Sequence, residues 1–305
     1  MSIFLQTFLS KRIFIVFLIL LLCKISSAQD NHSKWKIKPS VGLNQAKFDW
    51  SIAGNSSGTN PNILSELIWQ ELKGPAFGLD IQYNITNRLR IKTINQYTSI
   101  TKGAAEDTDY AEDNRQNAFY FDRFNAGKGY LFGTYLQLSY EALTIDLVSI
   151  NPIIGFSYGQ HQFHLLETGS NAMTTGLNST YQTRYKGFDL GFESALELKA
   201  FNITAGILGG FYSYLAKANW NLIPDFAKPV SFTQKANAFA LKGYANLSVP
   251  LNKSLELTLD YQINTINTHA GVDKAYFINQ PVEETQFNGA SFSGNTIALG
   301  INIIF

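Results

Sequence analysis

Cysteine is almost absent from this 305-residue chain, and its single example, Cys23, lies within an apolar N-terminal run. If that run is removed as a targeting signal, no cysteine remains, which excludes structural disulfides and thiolate metal sites. Charged residues make up only 15% of the chain and hydrophobic residues 45%, so the composition is that of a folded protein and not of a disordered one.

The N-terminus has the parts of a secretory signal peptide. Lys11 and Arg12 precede eleven apolar residues at 13–23, and Ala28 supplies the small residue that signal cleavage requires. Eleven apolar residues are too few for a membrane anchor, which needs about twenty. We therefore predict a signal peptide at residues 1–28, cleaved near Ala28, and a single domain at residues 29–305.

Long hydrophobic runs are missing after the predicted signal, so no helical membrane span is predicted there. Removal of the signal leaves 21 basic and 23 acidic residues, a formal charge of −2. A nearly neutral chain argues against nucleic acid as a partner. Phosphate loops, zinc-binding spacings and serine nucleophile motifs are also missing, so we predict neither a cofactor nor a metal site.

Apolar and polar residues instead alternate with a period of two, which is typical of β-strands. The clearest stretch is 255–263, where every second residue from Leu255 to Ile263 is apolar and the residues between them are polar. Ten such stretches occur, centred near residues 41, 78, 94, 130, 155, 188, 208, 241, 260 and 299. Alternation alone would also fit a soluble β-sandwich.

Three further features favour a membrane barrel. The apolar faces are rich in Leu, Ile, Phe and Tyr, while the opposite faces carry charged residues, which suits a lipid-facing exterior around a polar lumen. Short connections such as 86–87 and 252–254 alternate with long polar ones. The last strand ends on Phe305, and a terminal aromatic residue resembles the assembly signal of outer-membrane barrels, so the barrel assembly machinery is an expected partner.

A sheet that spans hydrocarbon must close on itself because lipid offers no hydrogen bonds to free backbone groups. The predicted fold is therefore all-β, a closed antiparallel transmembrane β-barrel of about ten strands in the outer membrane of a Gram-negative cell, with eight or twelve strands as alternatives. If the N-terminus is periplasmic, the long connections at the cell surface are 53–62, 102–118, 168–179, 219–230 and 270–287.

Several segments together resemble the omptin family of outer-membrane proteases and the wider class of omptin-like barrels. The resemblance extends over nearly the whole mature chain to Phe305, and it implies a narrow ten-stranded barrel with an active groove at its extracellular end. The segments that carry it are "ILSELIW" at 63–69, "KGPAFGLDIQYNI" at 73–85, "EDTDYAEDNR" at 106–115, "GYLFG" at 129–133, "GLNSTYQTRYKGFDLGFE" at 176–193 and "ANWNLIPDFAKPVSF" at 218–232.

The resemblance implies a catalytic aspartate pair that faces an Asp–His pair and activates a water for cleavage of peptides next to basic residues. Asp107 and Asp109, in "DTDY", match the family's Asp-x-Asp-aromatic motif. The Asp-x-His motif has no counterpart, because Asn219, Trp220 and Asn221 stand in its place and neither amide nor indole accepts a proton at neutral pH. His269 and His164 are the candidates for a replacement base, and His161 also approaches the same rim.

Two functions therefore remain open. The leading hypothesis is a non-proteolytic omptin-like barrel with a surface-binding, adhesion or limited transport role. The alternative is an omptin-type endopeptidase, for which the resemblance implies lipopolysaccharide as an activating lipid. The expected partners are outer-membrane lipid, lipopolysaccharide and peptides or host and surface ligands.

Other charged and aromatic residues are given structural roles. Arg88, Arg90 and Lys92 share a face beside Asp80 and Gln82, which predicts a salt-bridge network in the lumen. The acidic residues of 106–113 are interpreted as a solvated loop partly neutralised by Arg115 and Arg123, with a calcium site as the alternative. Trp69 and Trp220 are predicted to lie in the aromatic girdle at the membrane interface.

Overall fold

The computed structural model describes residues 34–168 and 174–305. The predicted signal peptide and its cleavage near Ala28 lie outside the described residues, as does part of the predicted connection 168–179. Within the described ranges, no helical segment has the length and apolarity that crossing a bilayer would require.

The described chain contains fourteen β-strands, joined by connections that include a 3₁₀ turn at Asp113–Arg115. In chain order the strands are β1 (Trp35–Ile52), β2 (Ser65–Asn84), β3 (Leu89–Ile100), β4 (Lys102–Glu112), β5 (Gln116–Asn125), β6 (Gly129–Tyr140), β7 (Leu143–Ile145), β8 (Val148–Leu166), β9 (Asn178–Glu197), β10 (Asn202–Asn219), β11 (Phe232–Pro250), β12 (Leu255–Thr268), β13 (Gly271–Ala275) and β14 (Glu283–Ile304).

These strands form a barrel wall of ten antiparallel positions. Three positions are each shared by two consecutive strands, β3 with β4, β5 with β6, and β12 with β13, while β7 is a short addition beside β8. The wall closes because β1 pairs with both β2 and β14, so that Lys36 lies between Gln82 and Ile304. The predicted closed barrel of about ten strands is confirmed, and each predicted centre falls in a different wall position.

In one half of the barrel, apolar side chains point outward and polar ones inward. Along β9, Phe188, Leu190 and Phe192 are each about 60% exposed on the outer face, whereas Asp189 between them is buried in the lumen. An apolar outer belt around a polar interior matches the surface of a membrane barrel. This belt marks the membrane part of the wall.

The predicted ion-pair network fills the lumen of the membrane part. Lys38 bridges Asp260 and Asp80, and its Nζ lies 3.3 Å from the Asp80 carboxylate. Lys92 reaches Asp80 at 3.2 Å, and Arg90 lies 3.8 Å from Glu193. The prediction is wrong for Arg88, which is exposed in the turn between β2 and β3.

Beyond the belt the strands continue, and their polarity reverses. On β1, Phe48 and Trp50 are buried inside the barrel, while Lys47 and Asp49, which alternate with them, point outward. An outer face in water needs polar side chains, so the apolar face turns inward as it does in a soluble barrel. We call this region the outer part of the barrel.

Two aromatic predictions are wrong for the same reason. Trp69 is completely buried inside the outer part, and its ring lies 5.4 Å from that of Phe163. Trp220 packs on Phe232 at 4.9 Å. Trp35, in contrast, lies half-exposed at the end of the belt, as expected of a girdle residue.

Aromatic rings from opposite walls meet in the outer part and close the lumen. Trp50 on β1 stacks on Tyr181 of β9 with 5.7 Å between ring centres, although the two strands are five wall positions apart. Phe48 stacks on Phe163 of β8 at 4.7 Å. A polar cavity of about 280 Å³ remains beneath this aromatic core, in the membrane part.

Two of the predicted surface loops are strands. Residues 102–118 form β4, the 3₁₀ turn and the start of β5, and residues 270–287 include β13 and the first residues of β14. The alternation there was hidden because above the membrane the polar residues face outward and the apolar residues face inward. The predicted connections 53–62 and 219–230 are observed between strands at 53–64 and 220–231, and the short turns at 85–88 and 251–254 lie at the opposite end.

Replacement of Trp69 by Ala tests the aromatic core. We expect Trp69→Ala to lower the free energy of unfolding by about 3–5 kcal/mol, because it leaves a cavity where rings from several strands meet. Urea denaturation of the refolded barrel in micelles measures the change. Trp35→Ala is the matched control, and an equal loss in both variants would contradict a packed core.

Candidate functional site

The hairpin β4–β5 projects above the aromatic core and is held against the first surface connection. The backbone N–H of Asn62 donates to the Asp113 carboxylate at 2.7 Å, and that of Asn114 donates to the Asn62 side chain at 2.8 Å. Arg115 forms a bidentate pair with Glu66 of β2. These contacts fix the position of the hairpin.

Asp107 and Asp109 lie on the inner face of this hairpin. They share that face with Ala105, which is completely buried in the aromatic core, so the two aspartates stand directly above the core at the inner rim. Asp122 of β5 is paired opposite Asp107, and Ser65 of β2 is paired opposite Asp109. The structure therefore brings three carboxyl groups together.

Asp122 is not among the site residues predicted from the sequence. Its signal was the alternation of Tyr120, Asp122 and Phe124, which places all three on one face once 116–125 is known to be a strand. Because 102–118 was interpreted as a loop, no pairing between Asp107 and Asp122 could be derived.

Burial and mutual repulsion disfavour ionisation of the rim carboxyl groups. The pKa of Asp107 is raised to about 8, first by burial and then by the charges of Asp109 and Asp122. Burial also raises the pKa of Asp109, against a hydrogen bond from the Ser65 hydroxyl that lowers it. The pKa of Tyr120 rises to about 12, because burial and all three aspartates oppose its anion.

The remaining acids of 106–113 do not join this group. Glu106 points to the outer face and pairs with Arg123 at 2.8 Å, as the sequence analysis proposed for that arginine. Arg115 neutralises Glu66 of β2 instead of an acid of its own hairpin, which corrects its predicted role. Within 34–168 and 174–305, no group of three His, Cys, Asp or Glu residues could hold a metal ion.

His164, one proposed replacement base, is engaged elsewhere. Its Nδ1 lies 2.9 Å from the Asn178 side-chain oxygen, and its Nε2 lies 3.0 Å from the Gln162 amide nitrogen. Burial is the main cause that lowers its pKa. Both ring nitrogens are therefore occupied. β8 ends at Leu166, which is paired with Asn125 at the base of β5, so the His164 imidazole lies below the level of Asp107.

The other two histidines occupy different positions. His269 is exposed just after β12, and three wall strands, β14, β1 and β2, stand between it and β4. At about 4.8 Å per strand, that separation is about 19 Å along the wall. His161 is buried beneath the aromatic core, with its ring 4.5 Å from Phe292.

The segment that replaces the family's Asp-x-His motif has a structural role. The Asn221 side chain accepts a hydrogen bond from the backbone N–H of Asn178 at 2.9 Å and donates one to the carbonyl of Gly176, also at 2.9 Å. These bonds join the connection 220–231 to the start of β9. Trp220 completes the edge of the aromatic core.

A polar network lies inside the core, and it was not predicted from the sequence. The Tyr181 hydroxyl is 2.6 Å from that of Tyr214 and donates to the Gln234 side chain, whose amide donates to Asp273 at 2.9 Å. Burial raises the pKa of Asp273 to about 6, against hydrogen bonds that lower it. No short motif marks these residues, since four different strands contribute them.

The rim can therefore present carboxyl groups to a ligand at the cell surface. A general base for hydrolysis would need a proton acceptor within reach of a water held by Asp107 and Asp109. The charges that act on Asp107 come from Asp109 and Asp122, whereas Lys128 is the charge that acts on His164. Among the described residues, no histidine forms a hydrogen bond or an ion pair with Asp107 or Asp109.

The comparisons with known proteins agree with this architecture. A family model described as "Pom: Protochlamydia outer membrane protein" matches residues 38–305. The structure is similar to the outer membrane protease OmpT from Escherichia coli, with a TM-score of 0.72 and 12% sequence identity over 92% of this chain and 99% of that chain. At this identity the likeness shows a shared fold, which confirms the predicted omptin-like scaffold.

Other similarities are weaker. The translocator domain of the autotransporter NalP from Neisseria meningitidis has a TM-score of 0.36 and 10% identity, over 97% of this chain and 98% of that one. OprG from Pseudomonas aeruginosa has a TM-score of 0.34 and 11% identity, over 90% and 97%. No curated protein matches the sequence.

Replacement of Asp107 by Asn tests the burial of its carboxyl group. Because its pKa in the folded protein exceeds that of the unfolded chain, the folded state binds the proton more tightly, and stability falls as pH rises from about 4 to about 8. We expect Asp107→Asn to gain stability over the wild type across this window, by at most about 1.4 kcal/mol per pH unit.

Urea denaturation at a series of pH values measures that difference. Thr108→Ala, on the opposite face of the same strand, removes no ionisable group and should shift stability equally at every pH. A difference between Asp107→Asn and the wild type that does not change with pH would contradict the assignment.

Proposed function

The chain belongs to the Protochlamydia outer membrane protein family and is an outer-membrane β-barrel, and on this premise we propose that it is a non-proteolytic surface-binding protein. The observation that carries the proposal is the aromatic core beneath the rim. Because rings from opposite walls meet there, the groups that a ligand can reach from outside are those of the rim and the surface connections.

A transport role is disfavoured by the same contacts. A ten-stranded barrel is narrow, and side chains fill barrels of this size. The polar cavity of about 280 Å³ lies in the membrane part, beneath the stacked pair Phe48 and Phe163. A solute that entered this cavity would have to displace buried aromatic rings in order to reach the cell surface.

A protease role is the second candidate, and one observation favours it. Asp107 and Asp109 stand together at the inner rim, where the omptin resemblance puts a catalytic aspartate pair. The occupied ring nitrogens of His164 argue against that imidazole as the missing base. His269 is exposed just after β12, and no hydrogen bond or ion pair joins its ring to Asp107 or Asp109 in the described part of the chain. We therefore retain binding as the main proposal.

Lipopolysaccharide is proposed as a lipid partner because cations lie directly above the apolar belt. Leu215 of β10 is paired with Arg184 of β9 on one side and with Lys235 of β11 on the other. Lys186 lies two residues further along β9, and Lys217 lies two residues further along β10. All four are exposed, and none forms an ion pair with another of the described residues. Phosphate groups of outer-leaflet lipid would complement their charge.

Single-channel recording tests the exclusion of transport. We expect the refolded barrel in a planar bilayer to show no conductance steps, because the aromatic core leaves no aqueous path through the outer part. A barrel of known channel activity, inserted under the same conditions, controls for insertion. Steps of steady amplitude from this chain would contradict a binding role based on a closed lumen.

Incubation with a dibasic fluorogenic peptide separates binding from cleavage. We expect the refolded mature barrel with added lipopolysaccharide to raise the fluorescence anisotropy of the peptide without cleaving it, because none of the described histidines bonds to either aspartate. The double variant Asp107→Ala, Asp109→Ala is compared with Glu112→Ala, Glu283→Ala, which removes two exposed acids instead.

Cleavage that is lost only in the Asp107 and Asp109 variant would overturn the main proposal and establish the protease. Binding without cleavage in the wild type would support the surface-binding role. Neither binding nor cleavage by a folded barrel would count against peptides as its ligands.

A further inference from the structure

Among the described residues, the strand β5 has one edge that pairs with the barrel wall only at its base. β4 pairs with β5 along one side from Glu112 to Ala104. On the other side β8 reaches only the base of β5, where Leu166 pairs with Asn125. Above that pair, the described residues provide no ladder partner for β5.

The backbone groups that face this edge can be identified. The Ala126 N–H donates to the Gly103 carbonyl at 3.0 Å, so Phe124, Asp122 and Tyr120, which alternate with it, direct their backbone groups toward β4. Phe121 and Arg123 therefore direct theirs away from it, although the Arg123 N–H already donates to the Asp122 side chain at 2.7 Å. The Arg123 carbonyl confirms this direction, because the Thr168 hydroxyl donates to it from the side of β8 at 3.2 Å.

The outer face of this edge carries exposed aromatic residues. Phe119 is 63% exposed and Phe121 57% exposed. Lipid contact does not account for them. Phe121 is paired with Thr108 of β4, and Thr108 lies six residues beyond Lys102, where β4 begins above the apolar belt. Uncovered aromatic rings on a polar surface mark an interaction site.

The inner face of the same edge carries acidic groups. Asp122 lies on that face with Asp107 opposite, and Asp109 is two residues further along β4. In the described part of the chain, no Lys, Arg or His forms an ion pair with any of the three. A strand added beside Phe121 would therefore meet aromatic rings on its outer face and carboxyl groups on its inner face.

We propose that the edge Phe119–Arg123 binds an extended segment of a partner protein by strand addition, and that the segment alternates apolar and basic side chains. Backbone hydrogen bonds to Phe121 supply affinity, and the alternation supplies specificity, as in other complexes formed by addition of a strand. This inference rests on the proposed surface-binding function and assigns its site and its class of ligand.

A second copy of the chain fits the edge less well. Antiparallel pairing of β5 with β5 would place the two barrels in opposite orientations, which copies that share one membrane do not adopt. An extended segment of another protein can lie along this edge without that constraint. The carboxyl groups on the inner face favour basic side chains in that segment.

The test uses an eight-residue fluorescein-labelled peptide of alternating valine and lysine. A peptide with the same composition, four valines followed by four lysines, is its control. We expect the full mature barrel in micelles to bind the alternating peptide at least about tenfold more tightly by fluorescence anisotropy. Equal affinity for the two peptides, or no binding of either, would overturn the inference.

Two variants at one position separate the backbone from the ring. Proline at an edge position whose N–H faces away from the sheet is tolerated by the fold but blocks strand addition. We expect Phe121→Pro to weaken binding of the alternating peptide at least about tenfold, and Phe121→Ala, which keeps the N–H, to weaken it less. Circular dichroism melting curves show that both variants are folded.

Hydrogen exchange locates the bound peptide. We expect it to slow exchange of the Phe121 amide, whereas a peptide held by other surface connections would slow exchange there instead. Protection elsewhere, or equal binding by Phe121→Pro and Phe121→Ala, would overturn the β5 site. The surface-binding function would survive that result, because it fails only if the barrel conducts or if Asp107 and Asp109 cleave the dibasic peptide.

Discussion

The contact between aromatic rings from opposite walls is the interaction on which the rest of this structure depends. Trp50 and Tyr181, and Phe48 and Phe163, meet across the lumen above the membrane. Such pairs exclude water and supply packing that a polar lumen cannot provide. They close the lumen, lie beneath the hairpin that carries Asp107, and confine any contact with external ligands to the outer rim.

Two solvents act on one continuous wall. Lipid selects apolar outer faces in the membrane part, so the lumen there holds charges such as Lys38, which bridges Asp80 and Asp260. Water selects polar outer faces above the belt, so the lumen there is aromatic. A buried charge is costly once its partner is removed, so a strand register that separated Lys38 from Asp80 and Asp260 would be disfavoured.

The chemistry of the rim follows from pairing between strands. Asp107 and Asp109 were predicted as a pair from the resemblance, and the structure places them on one face. Asp122 joins them only because β4 pairs with β5. Burial, and then the charges of Asp109 and Asp122, raise the pKa of Asp107 to about 8. A carboxyl group that is largely protonated at neutral pH does not take up the proton of an attacking water, so Asp107 is a poor general base there.

The amino-acid sequence alone determined the ten wall positions and the closed barrel, because alternation with period two is local and survives without knowledge of the fold. In the membrane part, the Leu, Ile and Phe content of one face also identified that face as lipid-facing. It also determined that Arg90 and Lys92 share a face with access to Asp80. Alternation separates two faces but does not say which one points inward, so the burial of Trp69 was decided only when the wall closed. The grouping of Asp107 with Asp122, and the distance of His269 from both, were likewise decided by tertiary structure, since each depends on which strands become neighbours.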